Sequence, residues 1–183
     1  MRRELRIFAA IGRALRRRRE VGADERAVAY GGQLRPLLIG VVALSAVEIA
    51  AVELLVPWAV VRWVLAVLGA YGLLWAVGVA CSVYTRPHTI GPDGLRLRFA
   101  AFTELDVPAR RLVPAGTAPR GSHRRTVEVD GGTLSFSVLG QTNLAVRIEP
   151  PAELGLGRAG RHRIDTVRFY ADDPAAALEP VTQ

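Results

Sequence analysis

The stretch Leu37–Tyr84 reads LLIGVVALSAVEIAAVELLVPWAVVRWVLAVLGAYGLLWAVGVACSVY and holds only three charged side chains, Glu48, Glu53 and Arg62. The whole chain is 50% hydrophobic, so collecting apolar residues into this one block points to a membrane part and a water-facing part rather than one globular core. Residues 37–56 give about 20 residues, enough as a helix to cross a hydrocarbon layer of roughly 30 Å. Pro57-Trp58 interrupts the run, and residues 59–84 supply a second crossing. Trp58 and Trp63 stand where an aromatic belt marks one interface, with Tyr30 and Tyr84 at the other. The stretch therefore predicts a membrane α-helical hairpin of two transmembrane helices. Small-residue ridges, Ala46 and Ala50 on the first helix and Gly72, Ala76 and Ala80 on the second, are expected to let the backbones approach. A cleaved signal peptide fits poorly, because over 30 residues precede the apolar run and no small-x-small site follows it.

Upstream, residues 1–20 (MRRELRIFAAIGRALRRRRE) predict an Arg-rich amphipathic helix. At 100° per residue, Leu5, Ile7, Phe8, Ile11 and Leu15 share one arc, and Arg2, Arg3, Arg6, Arg13, Arg16 and Arg17 share the opposite one. Residues 21–36 read as a linker, with Gly22, Gly31, Gly32 and Pro36. The net charge of +7 belongs to this end, since ten Arg stand against four acids before Pro36. All 24 basic residues are Arg.

Downstream, residues 86–183 predict a cytoplasmic β domain, because the hydrophobic period changes to two. Leu95, Leu97 and Phe99 alternate with Arg96 and Arg98; Val127 and Val129 with Glu128; Leu134, Phe136 and Val138 with Ser135 and Ser137; Leu144, Val146 and Ile148 with Ala145, Arg147 and Glu149; Val167 and Phe169 with Arg168 and Tyr170. Gly91-Pro92-Asp93-Gly94 and Asp130-Gly131-Gly132 are turn signals. The tail ADDPAAALEPV predicts a short C-terminal helix capped by Asp172 or Asp173 with Pro174 in its first turn.

Two apolar helices, then PHTIGPDGLRLR at 87–98, several short strands and a closing FYADDPAA at 169–176 resemble the bacterial PH-like membrane proteins. His88–Phe99, Asn143–Ile148 and Arg168–Ala177 carry the resemblance. The segment RRELRIFAAIGRALRRRR is also similar to hairpin-plus-β proteins of high-GC Gram-positive bacteria. The resemblance implies a small, strongly bent antiparallel PH-like sheet closed by a C-terminal helix, and it implies no catalytic residues. The chain departs from that pattern in its short terminal helix and a Gly/Arg-rich insert at 155–163.

Candidate sites follow from charge. Arg2, Arg3, Arg6, Arg13, Arg16 and Arg17 are lipid-headgroup candidates, since an Arg near an anionic surface contributes about 1 kcal/mol. The same Arg serve as a topology signal that keeps both termini cytoplasmic, with Arg86 after the second crossing. Nucleic-acid binding is disfavoured for an arm that already lies beside a membrane. Glu48, Glu53 and Arg62 are the intramembrane polar residues. A centred acid such as Glu48 costs about 2.5–3.5 kcal/mol, which calls for a partner in the hairpin or in a second copy. Glu53 and Arg62 flank the turn symmetrically and are expected to meet. Gly155, Gly157 and Gly160 spell GxGxxG, but no strand-to-helix context surrounds them, so they read as a loop. His88, His123 and His162 lack metal-ligand spacing, and no serine sits in a nucleophile elbow. Cys81 is the only cysteine, which excludes an intrachain disulfide.

These features predict a multi-pass protein of the cell membrane with no enzyme activity and no cofactor. It would be a binding module that presents its β domain to a protein partner or lipid headgroup. The alternative is a small oligomeric transport or channel component using Glu48. The expected partners are the bilayer and its anionic lipids, with a protein partner and a homo-oligomer both compatible with the pattern, and no nucleic acid.

Overall fold

The computed structural model describes residues 2–117, 121–156 and 160–178, with side chains for 4–117, 121–156 and 160–177. Helix α1 spans Arg2–Leu15, strand β1 Arg26–Val28, helix α2 Arg35–Leu55 and helix α3 Ala59–Thr85. The strands that follow are β2 His88–Gly91, β3 Gly94–Phe99, β4 Thr103–Pro108, β5 Arg111–Thr117, β6 Val127–Asp130, β7 Thr133–Phe136, β8 Leu144–Gly155 and β9 Arg161–Phe169. Helix α4, Pro174–Leu178, closes the described chain.

Helices α2 and α3 fold back on each other at Pro57, which cannot continue a helix because it lacks an N–H. Their 21 and 27 residues give lengths of about 31 Å and 40 Å at 1.5 Å per residue. No residue of α2 is buried, and Leu54 and Trp63 are 85% and 70% exposed. Apolar surface on this scale is not left bare in water. Both helices are long and apolar enough to cross a membrane. The hairpin contact differs from the expected ridges. Ile49 packs onto Gly69, whereas Ala46, Ala50 and Gly72 face outward and Ala76 is buried. Spacing identifies small residues, but the phase of the contact is set by where the turn places the two helices.

The strands form two sheets. The first has the order β1-β2-β3-β4, antiparallel throughout, and the second β5-β8-β9-β7-β6. One pairing departs from the antiparallel expectation: β9 inserts between β8 and β7 and runs parallel to β7, Leu134 opposite Val167 and Phe136 opposite Phe169. The chain achieves this by leaving β7, crossing to β8 and returning, so the returning strand finds β7 already oriented with it. Gly131 and Gly132 make the β6–β7 turn at φ 51° and 86°, a conformation that a Cβ penalises. Leu95, Leu97 and Val107 of the first sheet close over Leu134, Phe136, Leu144, Ile148, Val167 and Phe169 of the second. Ala171 and Ala177 extend this core to the short α4.

Two expectations change here. Residues 21–36 are not a linker throughout, because Arg26–Val28 pair with β2, Arg26 opposite Ile90 and Val28 opposite His88. Three residues are too short to display a period; the pairing partner makes them a strand. The β domain therefore draws on residues before the hairpin as well as after it. Nor does Arg98 point to solvent as the alternation implied. It is 3% exposed, because the second face of the first sheet is covered by α3's end and the chain near Glu20.

Candidate functional site

The foot of the hairpin is where helices, N-terminal arm and sheets converge. A second core lies there, built from Tyr30, Leu34, Val83, Ala100 and Val138, with Leu38 of α2 and Val79 of α3 packed against it. Burial pushes the Tyr30 hydroxyl up to about 12, and its oxygen accepts the Ala100 N–H at 2.8 Å. The Tyr30 ring stacks on His88 at 4.4 Å. His88 is fully buried, and its Nδ1 accepts the Arg98 N–H at 3.0 Å. Burial holds its imidazole down at about 3, with the Arg98 charge acting in the same direction, so it is neutral.

An ion network ties the same elements together. Arg86, the residue that ends α3, is 3% exposed. Its guanidinium donates to Glu20 at 2.9 Å, to Glu104 of β4 at 2.8 Å and to the Ala100 carbonyl at 3.1 Å. Arg98 donates to Glu104 at 3.0 Å and to the Glu20 carbonyl at 2.7 Å. Burial raises the Glu104 carboxyl, but the Arg98 hydrogen bond and the Arg86 and Arg98 charges outweigh it and hold it below the usual range. The planar, five-donor geometry of arginine suits this role of joining several acceptors at once.

Helix α1 does not hang free. It lies lengthwise on α3: Glu4 lies 3.5 Å from the Tyr71 hydroxyl, and Phe8 meets the Tyr71 ring edge-on at 6.3 Å. Ile7 rests on Gly78, and Ala10 is fully buried. The apolar arc thus divides. Ile7 seals onto α3 while Leu5 and Leu15 stay exposed, and Ala10, on the arginine side of the helix, is buried as well. The helix ends with Arg17 at φ 51°, the Arg17 N–H reaching Ala14 O at 3.0 Å and the Arg18 N–H reaching Arg13 O at 2.9 Å. This is the Schellman closure, made here with Arg where glycine is usual.

The headgroup candidates separate accordingly. Arg6 lies 3.8 Å from Glu104 and Arg13 3.8 Å from Glu20, so both turn toward the network. Arg16 and Arg17 are exposed, as are Arg18, Arg19 and Arg35, which the helical-arc reading did not single out. Their signal was position, four Arg in a row at a helix end and one directly before Pro36. The side chains of Arg2 and Arg3 lie outside the described residues. Glu48 is exposed on the outside of α2, away from the Ile49–Gly69 contact. Glu53 and Arg62 do meet, at 3.5 Å. Gly155 ends β8 and Gly160 precedes β9, while Gly157 lies outside the described residues. His123 pairs with Glu128 at 3.0 Å.

Between α1, α2 and α3 runs an apolar cleft of about 770 Å³, lined by Ala14, Arg35, Ile39, Ala43, Ala80 and Tyr84 among others. Among the described residues, Arg35 is the one charged side chain that lines it. Comparison with known protein families, with curated proteins and with solved structures yields no match to this chain.

Proposed function

We propose that the protein is a bilayer-anchored, non-catalytic binding module. The α2–α3 hairpin crosses the cell membrane with both chain ends on the cytoplasmic side. The two sheets, closed by α4, form a PH-like domain that meets a protein partner or a lipid headgroup at that face. The observation that carries the reading is the foot itself. Arg86 and the core around Tyr30 clamp the sheets to both apolar helices, so the domain is held at a set height and angle rather than trailing on a tether. A module that must meet a membrane-bound partner gains from such pre-organisation, because less freedom is lost on binding.

The excess of Arg before α2 supports the cytoplasmic assignment. The second reading, a small oligomeric transport or channel component, would need the exposed Glu48 to meet a second copy of the chain. Reporter fusions after Gln183 test the topology and are expected to be active only in the cytoplasm. Photo-crosslinkers on the exposed face of β5 test the binding role. Discrete adducts that vanish in Arg86→Met are expected; adducts indifferent to Arg86 would remove the argument from clamping.

A further inference from the structure

The cleft between the three helices is apolar along its length and carries charge at one end only. Its walls run from Arg35 and Tyr84 at the foot to Ala43, two turns along α2. Among the described residues, no carboxylate lines it. Two features place positive potential at the foot. Arg35 lines the cleft and is exposed. Arg16–Arg19 form a loop that leaves one wall at Ala14 and returns beside the other, where the Glu20 N–H donates to Thr85 O at 2.8 Å next to Tyr84. All four of these Arg are exposed, and among the described residues none is paired with a carboxylate.

An apolar slot about two helical turns deep, with Arg35 at its foot and the Arg16–Arg19 loop joining two of its walls, matches one kind of molecule: a chain of hydrocarbon ending in an anion. We propose that the cleft is a binding site for an anionic phospholipid. One acyl chain lies between Ala43 and Ala80, and the phosphate meets Arg35 and the Arg16–Arg19 loop. The site deepens the bilayer-anchored reading and rests on it. It also gives α1 a role, since α1 supplies both a wall and the charged loop.

The test uses the full chain reconstituted in vesicles of equal phosphatidylglycerol and phosphatidylcholine, purified in mild detergent, with retained lipid identified by mass spectrometry. The wild type is expected to retain phosphatidylglycerol over phosphatidylcholine. Arg35→Gln is expected to retain about fivefold less, the worth of one Arg at a headgroup. Ala43→Trp fills the slot at an exposed position and leaves every charge in place; it too is expected to lose the lipid while melting as the wild type does. Ile39→Trp is the second filling variant should Ala43→Trp melt early. Equal retention of both lipids by the wild type overturns the site. So does wild-type retention by the folded filling variants, which would assign the lipid to the Arg-rich surface and not the cleft. Extraction of the chain from vesicles by alkaline carbonate would overturn the bilayer reading and the site with it, whereas an integral chain without lipid preference overturns the site alone.

Discussion

Ile7 of α1 lies directly on Gly78 of α3, its carbonyl oxygen 3.1 Å from where a Cβ on Gly78 would stand. The absence of a side chain at residue 78 is what allows the N-terminal helix to dock.

Gly78→Leu should therefore force α1 away from α3. Overpacking costs of this kind run to about 1–3 kcal/mol. The expected result is a lower melting temperature in detergent and faster tryptic cleavage at Arg13–Arg19. Gly72→Leu is the matched control on the same helix, because nothing lies within 4 Å of a Cβ there. It should change neither measurement, and equal effects from the two would mean that helix propensity, not docking, is being read.

Arg86→Met should be among the most damaging single changes in the chain. Removing one partner of a fully buried ion pair costs about 3–5 kcal/mol; here the loss should fall below that, because Glu104 keeps Arg98, Glu20 keeps Arg13 and both carboxylates are partly exposed. Glu20 and Glu104 would both lose a short contact, and the Ala100 carbonyl a donor. Chemical denaturation should show the loss, with the sheets and helices unfolding in separate transitions. A single unshifted transition would show that the apolar core around Tyr30 suffices.

Stability should fall on mild acidification because of His88. Its folded value of about 3 lies below the unfolded value near 6.5, so the unfolded chain takes up the proton first. The stabilisation is complete above pH 6.5 and is lost as pH falls toward 3, with a slope of up to about 1.4 kcal/mol per unit. Glu104, also held low, adds loss in the same direction only once pH falls below the ordinary carboxylate range. Between pH 6.5 and 5 the slope should therefore vanish in His88→Leu, measured by urea unfolding at each pH. An unchanged slope would assign it to other groups.

Glu53 and Arg62 should couple weakly. They lie 3.5 Å apart with side chains 56% and 35% exposed at the turn end of the hairpin. Exposed pairs contribute about 0.2–1 kcal/mol, so a double-mutant cycle in detergent should fall in that range. Coupling near zero would make Arg62 an independent interface anchor.

The hairpin, the amphipathic character of residues 2–15 and the strands containing Leu95, Val127, Leu134, Leu144 and Val167 were all legible in the chain as written. Each declares itself through a local period, or through a long run without charge, and local periods need no knowledge of partners. The meeting of Glu53 with Arg62 was legible for the same reason, since a tight turn fixes relative depth. Strand β1, β9 lying parallel to β7, and the burial of Arg86, Arg98 and His88 were not. Three residues carry no period, and an arginine at an outward-facing strand position looks alike whether water or another element lies beyond it. The cleft is the clearest case. Ala14, Arg35, Ala43 and Tyr84 come from three helices and share no pattern along the chain. Only the docking of α1 on Gly78 and the folding back at Pro57 bring them to one place. Sequence determined which segments are apolar and where charge begins; tertiary structure decided which of those charges are spent on glutamates and which face outward, because pairing depends on distance in space and not on spacing along the backbone.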